Sequence, residues 1–251
     1  MIRLEHVGRT FAGRRGSVEA LRDITVQVAE KEFVAVVGRS GCGKSTLLRI
    51  IAGLLPATEG KVLVDGTEVS APRRDIAMMF QRPALLPWRS ALDNVLLPVE
   101  MFGWRRAEYE PHARALLTTV GLADFEKRLP HELSGGMQQR VSLCRSLITR
   151  PRVMLMDEPF SALDALTREE LSVELQRVHA EHAATTVFVT HSIDEAVLLA
   201  DRVIVLTPRP GRIREILDVT IPRPRSLGRD AHLQEVARCR SELHELLMAK
   251  D

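Results

Sequence analysis

The stretch EFVAVVGRSGCGKSTLLRIIAGLL, residues 32 to 55, constrains this chain more than any other. It opens with a short valine-rich apolar run, Glu32 to Gly38, which reads as a buried strand. It closes with TLLRIIAGLL, whose apolar residues recur at helical spacing and which ends near Gly53 and Pro56. Between them GRSGCGKST, Gly38 to Thr46, fits the pattern G-x-x-x-x-G-K-[ST] in the strand–loop–helix setting that its mechanism requires. Glycines at 38, 41 and 43 let the backbone curl until consecutive N–H groups face one point, and the helix N-terminus adds its partial positive charge. The loop Gly38, Arg39, Ser40, Gly41, Cys42, Gly43, Lys44, Ser45 and Thr46 is therefore read as a nucleotide site. Lys44 is expected to reach the terminal phosphates and the Ser45 hydroxyl to ligate Mg²⁺. With 15 glycines in 251 residues, the pattern arises by accident in roughly one chain of this size in a hundred. The strand and helix around it lower that further. A Cys42 thiol at a helix N-terminus is expected to favour its thiolate and to be shielded by bound nucleotide.

Further apolar strand runs are ITVQV (Ile24 to Val28), VLV (Val62 to Val64), IAMMF (Ile76 to Phe80), VMLMD (Val153 to Asp157), TVFVT (Thr186 to Thr190) and VIVL (Val203 to Leu206). The strand signal disappears between Gln81 and Arg150, where the pattern is mostly helical. An α/β core interrupted by a helical insertion is expected, with boundaries of about 1–81 and 151–219 for the core and 82–150 for the insertion. From about Thr220 the chain turns to IPRPRSLGR and a final amphipathic helix, and this stretch, 220–251, is expected to be a solvated extension. Lys plus Arg is 35 and Asp plus Glu is 33, a balance too even to argue for a nucleic-acid partner. No apolar run approaches the ~20 residues that span a bilayer. The N-terminal MIRLEHVGRTF lacks a signal-like apolar core, so the chain is expected to stay in the cytosol. Cys42, Cys144 and Cys239 are too scattered for a disulfide framework or a metal spacing.

Acidic chemistry stands at a second strand end, VMLMDEP. Asp157 can hold Mg²⁺ through water, and Glu158 can orient or deprotonate an attacking water. Taken alone, the triplet is a polar strand end and turn. His191 ends TTVFVTH and Gln81 follows IAMMF. A lone histidine or glutamine at such a place usually caps a strand or bonds a turn. In an open α/β sheet, however, ligands gather at the carboxyl ends of the strands, and all of these residues lie at such ends. The octapeptide LSGGMQQR, Leu133 to Arg140, puts two adjacent glycines at a helix start. They suit a helix interior poorly and suit the approach of backbone N–H groups to an anion well.

In order, GRSGCGKST, the glutamine of MMFQR, LSGGMQQR, VMLMDEP, SALD and the histidine of VTHS resemble the ATP-binding cassette ATPases, from about Ile2 to Val219. The resemblance implies a P-loop NTPase fold: a RecA-like core with an antiparallel β subdomain and an inserted helical subdomain carrying the signature. It implies ATP and Mg²⁺ as cofactors, with Ser45, Gln81 and Asp157 toward the metal. Gln81 would sense the γ-phosphate, His191 would hold it, and Asp164 would bridge two subunits. An aromatic residue would stack on adenine; Phe11 is the candidate, and the bland alternative is a strand-end core phenylalanine. The family's commonest signature reads LSGGQ. Met137 stands at the fifth position here, so backbone donation by Ser134, Gly135 and Gly136 survives while a glutamine side-chain role is in doubt.

The resemblance also implies a head-to-tail pair in which the signature of one copy closes on ATP held by the other, so the anion at LSGGMQQR arrives on a partner. Lys44 and Ser134 are only ninety positions apart with no long heptad array between them, unlike chromosome and repair ATPases of this type. A single cassette likewise differs from the translation class. A transport motor is expected, peripheral on the cytoplasmic side of the inner membrane. It would be docked on separate permease subunits and served indirectly by a substrate-binding protein. QRPALLPWRSALDNVLLP, Gln81 to Pro98, resembles the nitrate, sulfonate and taurine importers. Importers of other small organic solutes such as vitamin precursors are the competing reading, and LLPW packing the helical insertion is the bland one.

Overall fold

A computed structural model describes residues 1–13, 16–182, 184–226 and 232–249. Two sheets carry the core. The first is antiparallel, in the order β2-β1-β4-β5, with β1 Ile2–Gly13, β2 Gly16–Val28, β4 Glu59–Val64 and β5 Thr67–Glu68. The second has six strands in the order β10-β9-β3-β8-β7-β6. Its members are β3 Phe33–Val37, β6 Ile76–Met79, β7 Val153–Asp157, β8 Thr185–Thr190, β9 Arg202–Leu206 and β10 Ile213–Asp218. Five of these run parallel, and β10 pairs antiparallel on the edge. The helices are α1 Lys44–Ile51, α2 Ala91–Met101, α3 Arg106–Thr119, α4 Gly135–Leu147, α5 Ala165–His182, α6 Ile193–Leu199 and α7 Leu233–Met248. None is long and apolar enough to cross a membrane.

Strands β3, β7 and β8 are buried along their whole length, the pattern of parallel strands covered on both faces. The period of two sorts β3 between two cores. Phe33, Ala35 and Val37 join the larger core with residues of α2 to α7. Val34 and Val36 join the smaller one with α1 and the antiparallel sheet. Helix α1 is thus held between the two sheets with its start at the carboxyl end of β3.

The expected strand runs all form. The long β1 has no clean alternation in sequence, because its register with β2 and β4 shifts repeatedly and His6 sits at a φ of 52°; bulges of this kind break the period of two. Residues 82–150 hold α2, α3 and α4 and, among the described residues, no strand.

The C-terminal stretch departs from its expected solvation. Val236, Cys239 and Leu243 of α7 enter the larger core. Arg225 is only 4% exposed. Its guanidinium donates to the carbonyls of Ile221 (2.7 Å), Val197 (2.8 Å), Ala200 (2.6 Å) and Val219 (3.1 Å). Val197 and Ala200 close α6, whose last carbonyls lack intrahelical donors and carry the negative end of its dipole. A planar five-donor fork is matched to that role. Burial lowers the Arg225 pKa to about 10. Residues 227–231 of this stretch lie outside the described residues.

Candidate functional site

The loop between β3 and α1 builds the floor of a cavity of about 470 Å³. Gly43 caps α1 at a φ of 104°, and a Cβ there would stand 2.6 Å from Leu21 Cδ2 and 2.8 Å from the Ala20 carbonyl oxygen. Only glycine lets the loop turn into the helix against β2. Ser40, Gly41, Gly43, Lys44, Ser45 and Thr46 line the cavity, with Phe11 on one side and Gln81 and Glu158 on another. Gly38 and Cys42 are buried, and Arg39 is exposed beside them.

Lys44 is 5% exposed and its Nζ donates to Gly38 O at 2.9 Å and Arg39 O at 3.4 Å. The same Nζ lies 3.6 Å from Glu158 Oε1. The other carboxylate oxygen of Glu158 is 3.1 Å from His191 Nδ1, just past β8. Ser45 Oγ donates to Asp157 Oδ1 at 2.7 Å. Burial pushes the Asp157 carboxyl above the usual range, partly offset by the Ser45 hydroxyl. Gln81 stands two residues past β6, and its Nε2 donates to Ser161 Oγ at 3.1 Å, which in turn donates to Glu158 O at 3.0 Å. Hydrogen bonds therefore join Gln81, the turn after β7 and His191, and an ion pair adds Lys44. The turn is tight: Glu158 has a φ of 46°, and its N–H donates to Val189 O of the neighbouring β8 at 2.9 Å.

Phe11 lies on β1 opposite Val18. Its ring is 38% exposed toward the cavity, with the Arg9 guanidinium 4.6 Å from its centroid. It is a surface ring on a hairpin and not a core phenylalanine.

The Cys42 expectation fails. Its side chain is 1% exposed within the smaller core, and burial raises the thiol pKa. The backbone of Cys42 belongs to the loop, but its sulfur points away from solvent, and desolvation outweighs the helix N-terminus.

Ser134 caps α4, accepting from Met137 N at 3.3 Å. Of the two glycines expected to bring backbone N–H groups to an anion, Gly135 is exposed, whereas Gly136 is buried against the Thr167 methyl. Met137 is half-buried against the larger core. Asp164 accepts from Thr167 N at 3.0 Å and Thr167 Oγ1 at 2.7 Å, capping α5, and these bonds lower its pKa. Among the described residues, none of Ser134, Gly135, Gly136, Met137 or Asp164 lines the cavity over the loop from Gly38 to Thr46.

Residues that no sequence pattern singled out complete the frame. The Gln139 side chain, buried on α4, donates to Pro159 O. Arg168 donates to Phe160 O at 3.3 Å and Leu163 O at 3.0 Å and lies 3.6 Å from the buried Glu195. Ser161 and Gln139 lie inside the quoted motifs, but one serine in a turn or one glutamine in a helix carries no periodic signal.

Comparison with known proteins gives a consistent answer. The family model described as ABC transporter matches residues 21–161. An uncharacterized ABC transporter ATP-binding protein of Methanocaldococcus jannaschii is 50% identical over 224 residues, covering 89% of this chain and 84% of that one. The taurine import ATP-binding protein TauB of Rhizobium johnstonii is 42% identical over 250 residues, covering 99% and 95%. The aliphatic sulfonates import ATP-binding protein SsuB 1 of Xanthomonas axonopodis pv. citri is 46% identical over 235 residues, covering 93% and 92%. A dimeric structure of a bacterial ABC transporter cassette superposes with a TM-score of 0.78 at 33% identity, over 88% of this chain and 100% of that one.

Proposed function

The chain belongs to the ABC transporter family, and on that premise we propose that it is the ATP-hydrolysing motor of an importer for a small anionic solute of the taurine, sulfonate or nitrate kind. The observation that carries the reading is the single cavity in which the loop from Gly38 to Thr46, Gln81 and Glu158 meet, with Asp157 and His191 bonded to its walls. The loop's N–H groups receive the phosphates. Lys44 exchanges its loop carbonyls and Glu158 for the terminal phosphates. Glu158, steadied by His191 on one oxygen, accepts the proton of the water that attacks the γ-phosphorus. Phe11 offers its exposed face to adenine.

The donor set fits Mg²⁺. A hydroxyl and a carboxylate, both hard oxygens, converge at Ser45 and Asp157, with the Gln81 amide in the same cavity. Among the described residues no group of three or more His, Cys, Asp or Glu could hold a metal, which suits an ion that takes most of its ligands from phosphate and water. Bound there, Mg²⁺ would neutralise charge developing on the transferred phosphoryl group.

The working unit in this reading is a head-to-tail pair of copies. Its support is the position of the signature, whose Ser134 and Gly135 are exposed on a surface away from the chain's own phosphate-binding loop. We assign 1–81 and 151–219 to the core, 82–150 to the helical subdomain and 220–251 to the C-terminal extension. An apolar groove of about 330 Å³ between core and helical subdomain, lined by Ile76, Phe80, Leu97, Pro98 and Met101, supports docking on permease subunits. Phe80 is 41% and Met101 73% exposed. The permease supplies the pore, a substrate-binding protein delivers the cargo to it, and this chain sits at the cytoplasmic face of the inner membrane.

Paired variants test the reading. Lys44→Ala disables the loop and Ser134→Arg the signature, so each homodimer is inactive. After subunit exchange, one composite site in the mixed dimer is intact, and ATP-dependent closure returns. Absence of closure with exchange verified refutes the shared site.

A further inference from the structure

The turn between β9 and β10, residues 207–212, is bolted to the nucleotide cavity from two directions. Gly211 N–H donates to Ala20 O at 2.9 Å, and Arg22 N–H donates to Gly211 O at 3.0 Å, so the turn extends the pairing of β2. On its other side a Cβ on Gly211 would stand 2.1 Å from Cys42 O; the two backbones touch, and only glycine allows it. Within the turn, Thr207 N–H donates to Arg212 O and Arg212 N–H to Thr207 Oγ1, both at 3.0 Å, and the Thr207 hydroxyl donates to Pro210 O at 3.1 Å. The backbone that carries Arg209 is therefore fixed relative to both the phosphate-binding loop and the sheet that presents Phe11.

Arg209 itself lines the cavity. Its Nη2 comes within 3.5 Å of where a Cβ on Gly41 would be. Three nearby cations are engaged: Lys44 with Gly38 O and Glu158, Arg22 with Glu19, and Arg9 with Pro56 O and the Phe11 ring. The Arg209 side chain has no hydrogen-bond or ion-pair partner among the described residues. A fixed backbone holding an uncommitted guanidinium over a loop of converging N–H groups is an arrangement for a polyanion.

We propose that Arg209 binds the polyphosphate chain of the nucleotide, reaching across Gly41 to donate to phosphate oxygens as a cation additional to Lys44. This rests on the nucleotide reading of the site and adds to it a residue from the far edge of the sheet, on a turn that none of the sequence motifs includes. It also gives the β9–β10 turn a part in the cavity wall, through Arg209.

The test is equilibrium binding of Mg-ATP and of adenosine to the full chain, with Arg209→Gln, Arg209→Lys and Lys44→Ala beside the wild type. An exposed charge-assisted contact predicts ~5- to 10-fold weaker Mg-ATP binding for Arg209→Gln, a deficit that shrinks at high salt. Arg209→Lys recovers part of it, because a point charge replaces a fork. Adenosine binding is unchanged in both. If wild type binds, Lys44→Ala weakens and Arg209→Gln matches wild type at low salt, Arg209 is a solvated surface residue and the proposal falls alone. An equal loss for adenosine overturns it in favour of a base or ribose contact. If wild type fails to bind Mg-ATP, or Lys44→Ala binds as well as wild type, the nucleotide reading itself falls.

Discussion

Glu158→Gln separates binding from chemistry at this site, and the two effects have opposite signs. The amide preserves the shape of the side chain and can still meet His191 Nδ1, now 3.1 Å from Oε2. It removes the proton acceptor, and loss of a general base costs about 10²- to 10⁴-fold in rate, or about 3–5.5 kcal/mol of barrier. Binding moves the other way. Glu158 Oε1 is 3.6 Å from Lys44 Nζ, a pair whose gross attraction is ~4–5 kcal/mol at an effective dielectric near 20. Lys44 must leave that partner to reach a phosphate. Most of the attraction is offset in solution, because water screens the half-buried Glu158 and solvates its carboxylate once Lys44 leaves. A net gain of about 1 kcal/mol remains, roughly five-fold in Kd. The assay pairs steady-state phosphate release with Mg-ATP titration of the same preparation. Turnover within a few-fold of wild type removes Glu158 from the water-activating role. Slow turnover with weaker ATP binding refutes the electrostatic account of Lys44.

Two further outcomes concern the frame around the site. Arg225→Met leaves four carbonyls without their donor; at ~1 kcal/mol for each, the low end of the cost of an unsatisfied buried group, a total of about 4 kcal/mol is expected. Thermal unfolding should fall by roughly 5–15 °C with Mg-ATP affinity unchanged, and an unaltered melting temperature would show that the tail contributes nothing. His179, packed edge-on against Phe33, has its pKa lowered to about 4, first by burial and then by Arg223. Its folded pKa lies below the unfolded value near 6.5, so the unfolded chain takes the proton more readily. Stability is intact above about pH 6.5 and is lost as pH falls toward 4, by up to roughly 3 kcal/mol. Urea unfolding of His179→Phe should show a shallower loss across that window, and an identical slope would count against the assignment.

How much of this was legible in the sequence depended on how local the chemistry is. The loop from Gly38 to Thr46 and the strand ends at Asp157 and His191 could be placed from sequence because each directly follows a short buried apolar run. The α/β core followed from valine-rich runs buried on both faces. β1 was hidden because bulges near His6 destroy its alternation. The docking of α7 and Arg225 was hidden because it depends on carbonyls of α6 and of the chain after β10, which come together only in the fold. Cys42 was misjudged for a related reason. Its position in the loop is local, but the direction of its sulfur is set by packing in the smaller core. Gly136 is covered by Thr167, thirty-one positions later. Arg209 belongs to no spacing pattern; its place is given by the contact of Gly211 with Ala20 and Cys42.

The bond from the Gln139 side chain to Pro159 O ties α4 to the turn that bears Glu158, and Arg140 adds ion pairs from α4 to Glu170 and Glu174 of α5. In mechanical terms the chain is a bell crank. One arm ends at Ser134, the other at Glu158, and the pivot is the packed contact of α4 with the start of α5. In the proposed head-to-tail pair those two arms work in different ATP sites. Pressure from a nucleotide on one arm would then pass, through side chains already in contact, to the turn of Glu158 at the other. In such a pair the stiffness of that pivot would set how closely the two sites keep time.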